Sequence, residues 1–238
     1  GIRFTRCYAD CPVSAPSRAT LMTGRHGWSH GQTKNDGKAS PMCRLPTLPG
    51  LLTAAGYQTQ AHGKMHFHPA RAHYGFEHME ILPDYYRWAK RSGVSPLPKH
   101  HGVGENEMEP AVGTAPRDAT VTQWVVDRSV DFLETRDTTR PFFLWSSFTK
   151  PHPPFDPLPE FHALYRDLSL PSPRAGAWSS GEVPPHAFRG ATYHLNNVQR
   201  FGTDKLAAAR RAYYACVSEV DYALGRLFAR LRELGLLE

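Results

Sequence analysis

The stretch that most constrains the fold pairs a helical pattern over residues 118–135 with the unbroken apolar run Phe142-Phe143-Leu144-Trp145. Val121, Trp124, Val125, Val130 and Phe132-Leu133 recur at near-helical spacing, and the run that follows, extended to Phe148, has the character of a strand covered on both faces. The same order occurs earlier. A helix over residues 47–55, stopped by Gly56, precedes the alternating segment Tyr57-Gln58-Thr59-Gln60-Ala61, which ends at Gly63. Helices alternating with buried-type strands predict an α/β fold: a mostly parallel sheet with helices on both faces and ligand groups at the carboxyl ends of its strands.

At 238 residues and 40% apolar content the chain is long enough to bury a real core, and residues 1–238 read as one catalytic-domain-sized unit. Ser14 to Gly24 reads as a short helix with Ser14 as its N-cap, Pro16 in the first turn and Gly24 as its stop. The last helix, residues 204–234, shows one apolar face in Leu206, Tyr213, Val217, Val220, Leu224, Leu227 and Leu231. Residues 75–116 and 151–202 are rich in Pro, Gly and His and lack sustained periodicity. They read as long loops with short elements that wall a substrate pocket.

Composition narrows the function classes. A net charge of +6 suits an anionic partner, but no basic run is longer than a pair such as Arg210-Arg211, which argues against nucleic acid. No window approaches the roughly 18 apolar residues of a membrane span. Cys7, Cys11, Cys43 and Cys216 form no Cys-x-x-Cys pair and read as small buried hydrophobes. Compartment is not read here: the chain opens on Gly1 without an initiator Met, and periplasmic, secreted and cytoplasmic locations are all compatible with it.

Three constellations carry oxyanion chemistry. In Ser14-Ala15-Pro16-Ser17-Arg18 a helix starting after Ser14 puts the Arg18 cation one turn on, with free N–H groups and the helix dipole adding attraction for an anion. Read alone, the same residues are an ordinary capped helix with a surface Arg. Gly63-Lys64-Met65-His66 sits at a strand end, where residues two apart on an extended chain face one pocket. Lys64 offers charge to an oxyanion and His66 can move a proton. Zinc held by His62, His66 and His68, with His73 and His78 nearby, is a rival that ranks lower because no Cys or carboxylate has metal-motif spacing there. Lys150-Pro151-His152 repeats the Lys/His pairing after the Phe142 strand, and its plain alternative is a Pro-rich turn.

In combination these motifs resemble the type I sulfatases of the alkaline-phosphatase-like superfamily. Gly1-Ile2-Arg3-Phe4-Thr5, then Ser14 through Arg25 and His30-Gly31, is similar to the family's signature region. Residues 47–57 followed by Gly63-Lys64-Met65-His66 resemble its next block, with Met65 where the family usually has Trp. Arg140-Pro141-Phe142-Phe143 through Pro151-His152, and Tyr213-Tyr214 through Asp221, Gly225-Arg226-Leu227 and Leu234-Gly235, resemble later blocks.

The resemblance implies a three-layer sandwich truncated at both ends and the hydrolysis of a sulfate ester through a formylglycine made from Ser14. Arg18 would hold the hydrated aldehyde, Lys64 would bind sulfate oxygens and His66 would help deprotonate the second hydroxyl. His152 would bind sulfate or protonate the leaving oxygen, and Lys150 is expected to bind substrate beside it. The implied cofactor is Ca²⁺ or Mg²⁺. Ser14, as formylglycine, is the one ligand the matching names, because the family's paired Asp residues lie upstream of Gly1 and its Asp-His or Asp-Asn segment beyond Glu238. The chain as given is therefore expected to be incomplete and inactive. A Ser-type motif implies a bacterial source and a formylglycine-generating maturase as partner, with a sulfated small molecule or carbohydrate as substrate. Arg71, Tyr85, Tyr86, Trp88, His100 and His101 are of a type that suits such substrates or plain loop decoration. A phosphatase or phosphodiesterase using unmodified Ser14, and a non-catalytic anion-binding module, are the alternatives.

Overall fold

The computed structural model describes residues 2–98, 100–172 and 201–237. The span read as one unit divides into two compact ones: Gly1–Tyr85 with Arg128–Ser147, and Tyr86–Asp127 with Phe148–Glu238.

The first unit is built on three parallel strands, β1 (Gln58–Gly63), β2 (His78–Ile81) and β3 (Phe142–Ser147), in the order β2-β1-β3. Register places Ala61 beside Met79 on one side and Trp145 on the other, and Gly63 beside Ile81 and Ser147. The helices α1 (Ser14–Thr23), α2 (Gly27–His30) and α3 (Leu48–Ala54) precede the sheet. Ala19 and Met22 of α1 share a core with Met42, Ala61, Met65, Phe67, Tyr74, Phe76, Met79 and Ile81, and Phe143 and Trp145 pack against it. Each large side chain buried there contributes about 1.5–3 kcal/mol.

α3 lies within the expected range and opens on a capped turn. Thr47 accepts from Gly50 N at 3.2 Å and donates to Tyr74 O at 2.6 Å, and Pro49 sits in the first turn. Gly75 approaches this helix start with φ +96°, and a Cβ there would collide with the Gly50 backbone.

The strands reverse the expected burial. β3 was read as doubly covered, yet only its Ser147 is fully buried, because β3 is an edge of the sheet among the described residues and pairs with β1 alone. The interior strand is β1, whose polar residues disguise it. Thr59 is bonded to Thr53 Oγ1 at 2.6 Å, and His62 to Gln60 Oε1 at 3.2 Å and Ser129 Oγ at 3.3 Å. A buried polar group with partners loses little.

Residues 75–116 carry more structure than a loop: β2 and then the ten-residue α4 (Leu82–Arg91), whose Asp84 carboxylate accepts from Ile81 N at 2.8 Å and whose Tyr85 and Ala89 are buried. β2 escapes a periodicity search because it is four residues long. α5 (Val121–Thr135) follows a 3-10 turn at Arg117–Ala119.

In the second unit α6 (Pro159–Leu164) interrupts the region read as the second loop. The part of that loop at residues 173–200 lies outside the described residues. α7 (Thr203–Glu233) buries Leu227 as expected, but its other buried residues are Ala209, Ala212, Ala215, Cys216, Glu219 and Ala223, and Tyr213 and Val217 are exposed. The stripe is turned by about one residue, roughly 100° of helix. Small side chains let neighbours come close: Ala215 packs with Leu158 and Phe161, and Ala209 and Ala212 pack with Phe155. Cys216 alone behaves as a buried hydrophobe, since Cys7 and Cys43 are exposed and Cys11 is half-buried. No helix among the described residues is long and apolar enough to cross a membrane.

Candidate active site

Ser14 does not cap α1. Val13 holds the extended N-cap position without a side-chain bond, and Ser14 is the first helical residue. Asn35 supplies the cap instead, its Oδ1 accepting from Ala15 N at 2.9 Å. Ser17 N donates to Val13 O at 2.9 Å and Pro16 has no N–H, so of the first-turn groups Ala15, Pro16 and Ser17 offer no donor to an anion. What remains from the expected anion site is the Ser14 N–H, the helix dipole and Arg18.

The face of α1 that buries Ala15, Ala19 and Met22 also turns Arg18 inward. Its Nη1 donates to Ser147 Oγ at 3.0 Å, and Ser147 Oγ donates to Lys64 O at 2.6 Å. The strand bond Lys64 N to Ser147 O, 2.9 Å, closes the link. The end of β3 thus ties the Ser14 helix to the segment leaving β1. Burial lowers the pKa of Arg18 from its ordinary value, and the guanidinium stays a cation at any physiological pH.

The extended-chain argument for Lys64 and His66 does not apply, because Gly63 takes φ +100° and His66 sits in the left-handed region at φ 56°. Lys64 and Met65 are buried, and Met65 belongs to the core that holds α1. The His66 ring meets His68 edge-on, with centroids 5.9 Å apart. A left-handed non-glycine costs about 1–2 kcal/mol and is held only where the surroundings fix it.

Further polar bonds brace this half. His30 is buried, accepts from Gln32 N at 3.0 Å through Nδ1, and so offers its Nε2–H to Thr20 Oγ1 at 3.1 Å, joining α2 to α1. Burial first, and then the charges of His78 and Arg128, push His62 down to about 3. Sequence reasoning missed Asn35, the bonding role of His30, and Ser147. They stand 20, 10 and 129 residues from their partners, and no local pattern marks such bonds.

The second unit holds Lys150 and His152. Lys150 is not available to substrate as expected: its ammonium donates to Asp156 O at 2.5 Å and Asp156 Oδ1 at 2.9 Å, with Glu219 Oε2 at 3.8 Å, because a cation buried there needs anions around it. His152 Nδ1 donates to Pro153 O at 2.8 Å, which orients the ring. Of the loop residues suited to substrate, Arg71 is spent on a two-pronged pair with Asp84 at 2.9 and 2.7 Å, Tyr85 is buried, and His101 donates to Asp156 Oδ2 at 3.1 Å.

Among the described residues no group of three or more His, Cys, Asp or Glu side chains is arranged to hold a metal ion. The zinc alternative loses its support, with His62 held as above and His73 Nδ1 bonded to Phe76 O at 2.9 Å. The expected Ca²⁺ or Mg²⁺ likewise finds no ligand set among them.

The family model described as Sulfatase matches residues 1–238. The chain belongs to the sulfatase family. This sulfatase-family chain is 31% identical over 260 residues to an arylsulfatase of Clostridium perfringens, covering 100% of itself and 53% of that protein. It is 29% identical over 257 residues to a choline-sulfatase of Rhizobium meliloti, covering 99% and 48%. The chain therefore spans about half the length of the curated relatives it matches. A phosphonate monoester hydrolase of Agrobacterium radiobacter superposes with a TM-score of 0.74 at 23% identity, covering 96% of this chain and 51% of the other, which establishes the shared alkaline-phosphatase-like α/β fold.

Proposed function

We propose that the protein hydrolyses the sulfate esters of small molecules, carbohydrates included, through a formylglycine made from Ser14 by a maturase. The observation that carries this reading is the fixed Arg18 guanidinium, one turn from Ser14 and locked through Ser147 to the backbone of Lys64. Family membership and the arylsulfatase and choline-sulfatase relatives support sulfate over other esters.

When present, the hydrated aldehyde supplies one hydroxyl to attack sulfur and a second whose deprotonation expels sulfate. Arg18 holds the Ser14-derived group and opposes the charge gathering on the sulfuryl oxygens. Because hydrogen bonds already orient it, it costs no reorganisation at the moment of reaction. Lys64 adds a compact ammonium for the sulfate oxygens, and its burial strengthens that attraction. His66 accepts the proton of the second hydroxyl. His152 takes the family's role of donating a proton to the leaving oxygen, and the Nδ1–H bond to Pro153 O orients its ring.

The test is release of a chromogenic alcohol from an aryl sulfate by the full-length protein co-expressed with a formylglycine-generating maturase. Turnover that disappears in Ser14→Ala supports the proposal. Turnover of the matching aryl phosphate but not the sulfate, with Ser14 unmodified, would make the protein a phosphohydrolase. Turnover of neither, with sulfate still bound, would leave an anion-binding module.

A further inference from the structure

The loop that carries His152 is closed on itself by a buried set of charges. Lys150, two residues before His152, holds both the backbone carbonyl and the carboxylate of Asp156, at 2.5 and 2.9 Å. The other Asp156 oxygen accepts from His101 Nε2 at 3.1 Å, and His101 Nδ1 is itself fixed by Val103 N at 3.1 Å. Two residues beyond Asp156, Leu158 N donates to Glu219 Oε2 of α7 at 3.0 Å, and that same oxygen lies 3.8 Å from the Lys150 ammonium. Between these anchors Phe155 is set edge-on against Tyr213, centroids 5.6 Å apart, over Ala209 and Ala212. At the start of the loop His152 N donates to Thr149 O at 3.0 Å.

The charges in this set are costly. The Lys150, Asp156 and Glu219 side chains keep only 14, 15 and 4% of their surface in contact with solvent. The Cys216 thiol beside them is pushed up to about 12 by burial and stays neutral, which leaves two carboxyl groups around one ammonium, and burial raises the Glu219 carboxyl as well. Burial works against the Lys150 ammonium, but Cys216, Glu219 and Asp156 together outweigh it and its pKa is raised. Hydrophobic side chains in the same space would stabilise the unit at least as well, so stability alone does not account for a buried ion cluster. An apolar cluster would not do what this one does, which is to fasten one loop end to the main-chain carbonyl of the other at a defined distance.

We infer that Lys150, Asp156 and Glu219 are positioning residues that fix the His152 imidazole, acting on turnover through His152 and not by touching substrate. The inference rests on the sulfate-ester reading above, in which His152 serves the leaving oxygen. Lys150, placed by its sequence neighbourhood beside a substrate, becomes the clamp of the loop instead.

The test is a double-mutant cycle on the full-length, matured enzyme with an aryl sulfate. Asp156→Asn should lower kcat by about tenfold or more, as expected when a catalytic group is displaced by a fraction of an ångström to an ångström, with KM changed far less. In a His152→Ala background the same substitution should add almost nothing, because its effect runs through the missing ring. Equal losses in both backgrounds, or no loss in either, overturn the inference. Hydrogen exchange of the amides in residues 149–158 gives a readout independent of turnover: Asp156→Asn should speed it severalfold, and unchanged exchange overturns the clamp. If Asp156→Asn does not fold, Glu219→Gln, which keeps the Lys150–Asp156 pair and an acceptor for Leu158 N, enters the same cycle. A wild-type enzyme without sulfatase activity contradicts the functional reading instead, and the exchange measurement then decides the clamp alone.

Discussion

Arg18 and Ser147 are joined by a 3.0 Å hydrogen bond that spans 129 residues of chain. Through it the first helix of the first unit reads the position of the last residue of β3, and Ser147 passes the constraint on to Lys64 O at 2.6 Å. Ser147→Ala removes both bonds and leaves a part-buried guanidinium and a buried carbonyl short of a partner. The expected cost is about 1–3 kcal/mol in urea unfolding. A fall in kcat should accompany it because Arg18 is no longer held, and an active, equally stable variant would show that the link does not serve Arg18.

The buried His62 makes stability depend on pH. Its folded pKa lies at about 3 against an ordinary 6.5, so between those values the unfolded chain binds a proton that the folded chain refuses. The contribution is fully present above pH 6.5 and is lost as pH falls towards 3, with a slope of up to about 1.4 kcal/mol per pH unit from this one group. Urea midpoints measured across pH 7.5 to 5 should fall on acidification, and His62→Leu should flatten that fall.

Lys150→Met leaves the Asp156 and Glu219 carboxylates buried without their cation. About 3–5 kcal/mol of stability should be lost, the usual result of removing one partner from a buried pair. Replacing Asp156 and Glu219 by Leu in the same protein should recover part of it. Thermal unfolding of the two variants side by side measures the difference.

Gly75 is fixed by its neighbour. Its φ of +96° is poorly tolerated by other residues, and an added Cβ would strike the Gly50 backbone at the start of α3. Gly75→Ala should destabilise by about 1–3 kcal/mol, whereas Gly56→Ala, with open space around the Cβ, should carry only its conformational cost.

Local chemistry was legible in the sequence, and long-range chemistry was not. The Pro16 first turn and the Gly24 and Gly56 stops each involve neighbours within a few residues, so α1, α3, β1 and the long α7 stand close to where their patterns place them. The burial of β1 was hidden because Thr59 and His62 find partners on α3 and α5, which alternation cannot reveal. The inward face of α7 was misread because close packing selected its alanines over its larger residues. Ser14, Arg18, Lys64 and His66 could be named as candidates from motif order. The capping by Asn35, the Ser147 link and the withdrawal of Lys150 into an ion cluster depend on contacts that only the folded chain makes.

The central claim is that Ser14 is the precursor of the reacting group, and the mass of the peptide containing it tests this directly. In protein produced with a maturase, the peptide spanning Ser14 to Arg18 should be lighter by two hydrogens than its sequence requires, and should react with an aldehyde-specific hydrazide. A peptide of unaltered mass from protein that nonetheless turns over an ester would contradict the account, and would assign the chemistry to the Ser14 hydroxyl itself.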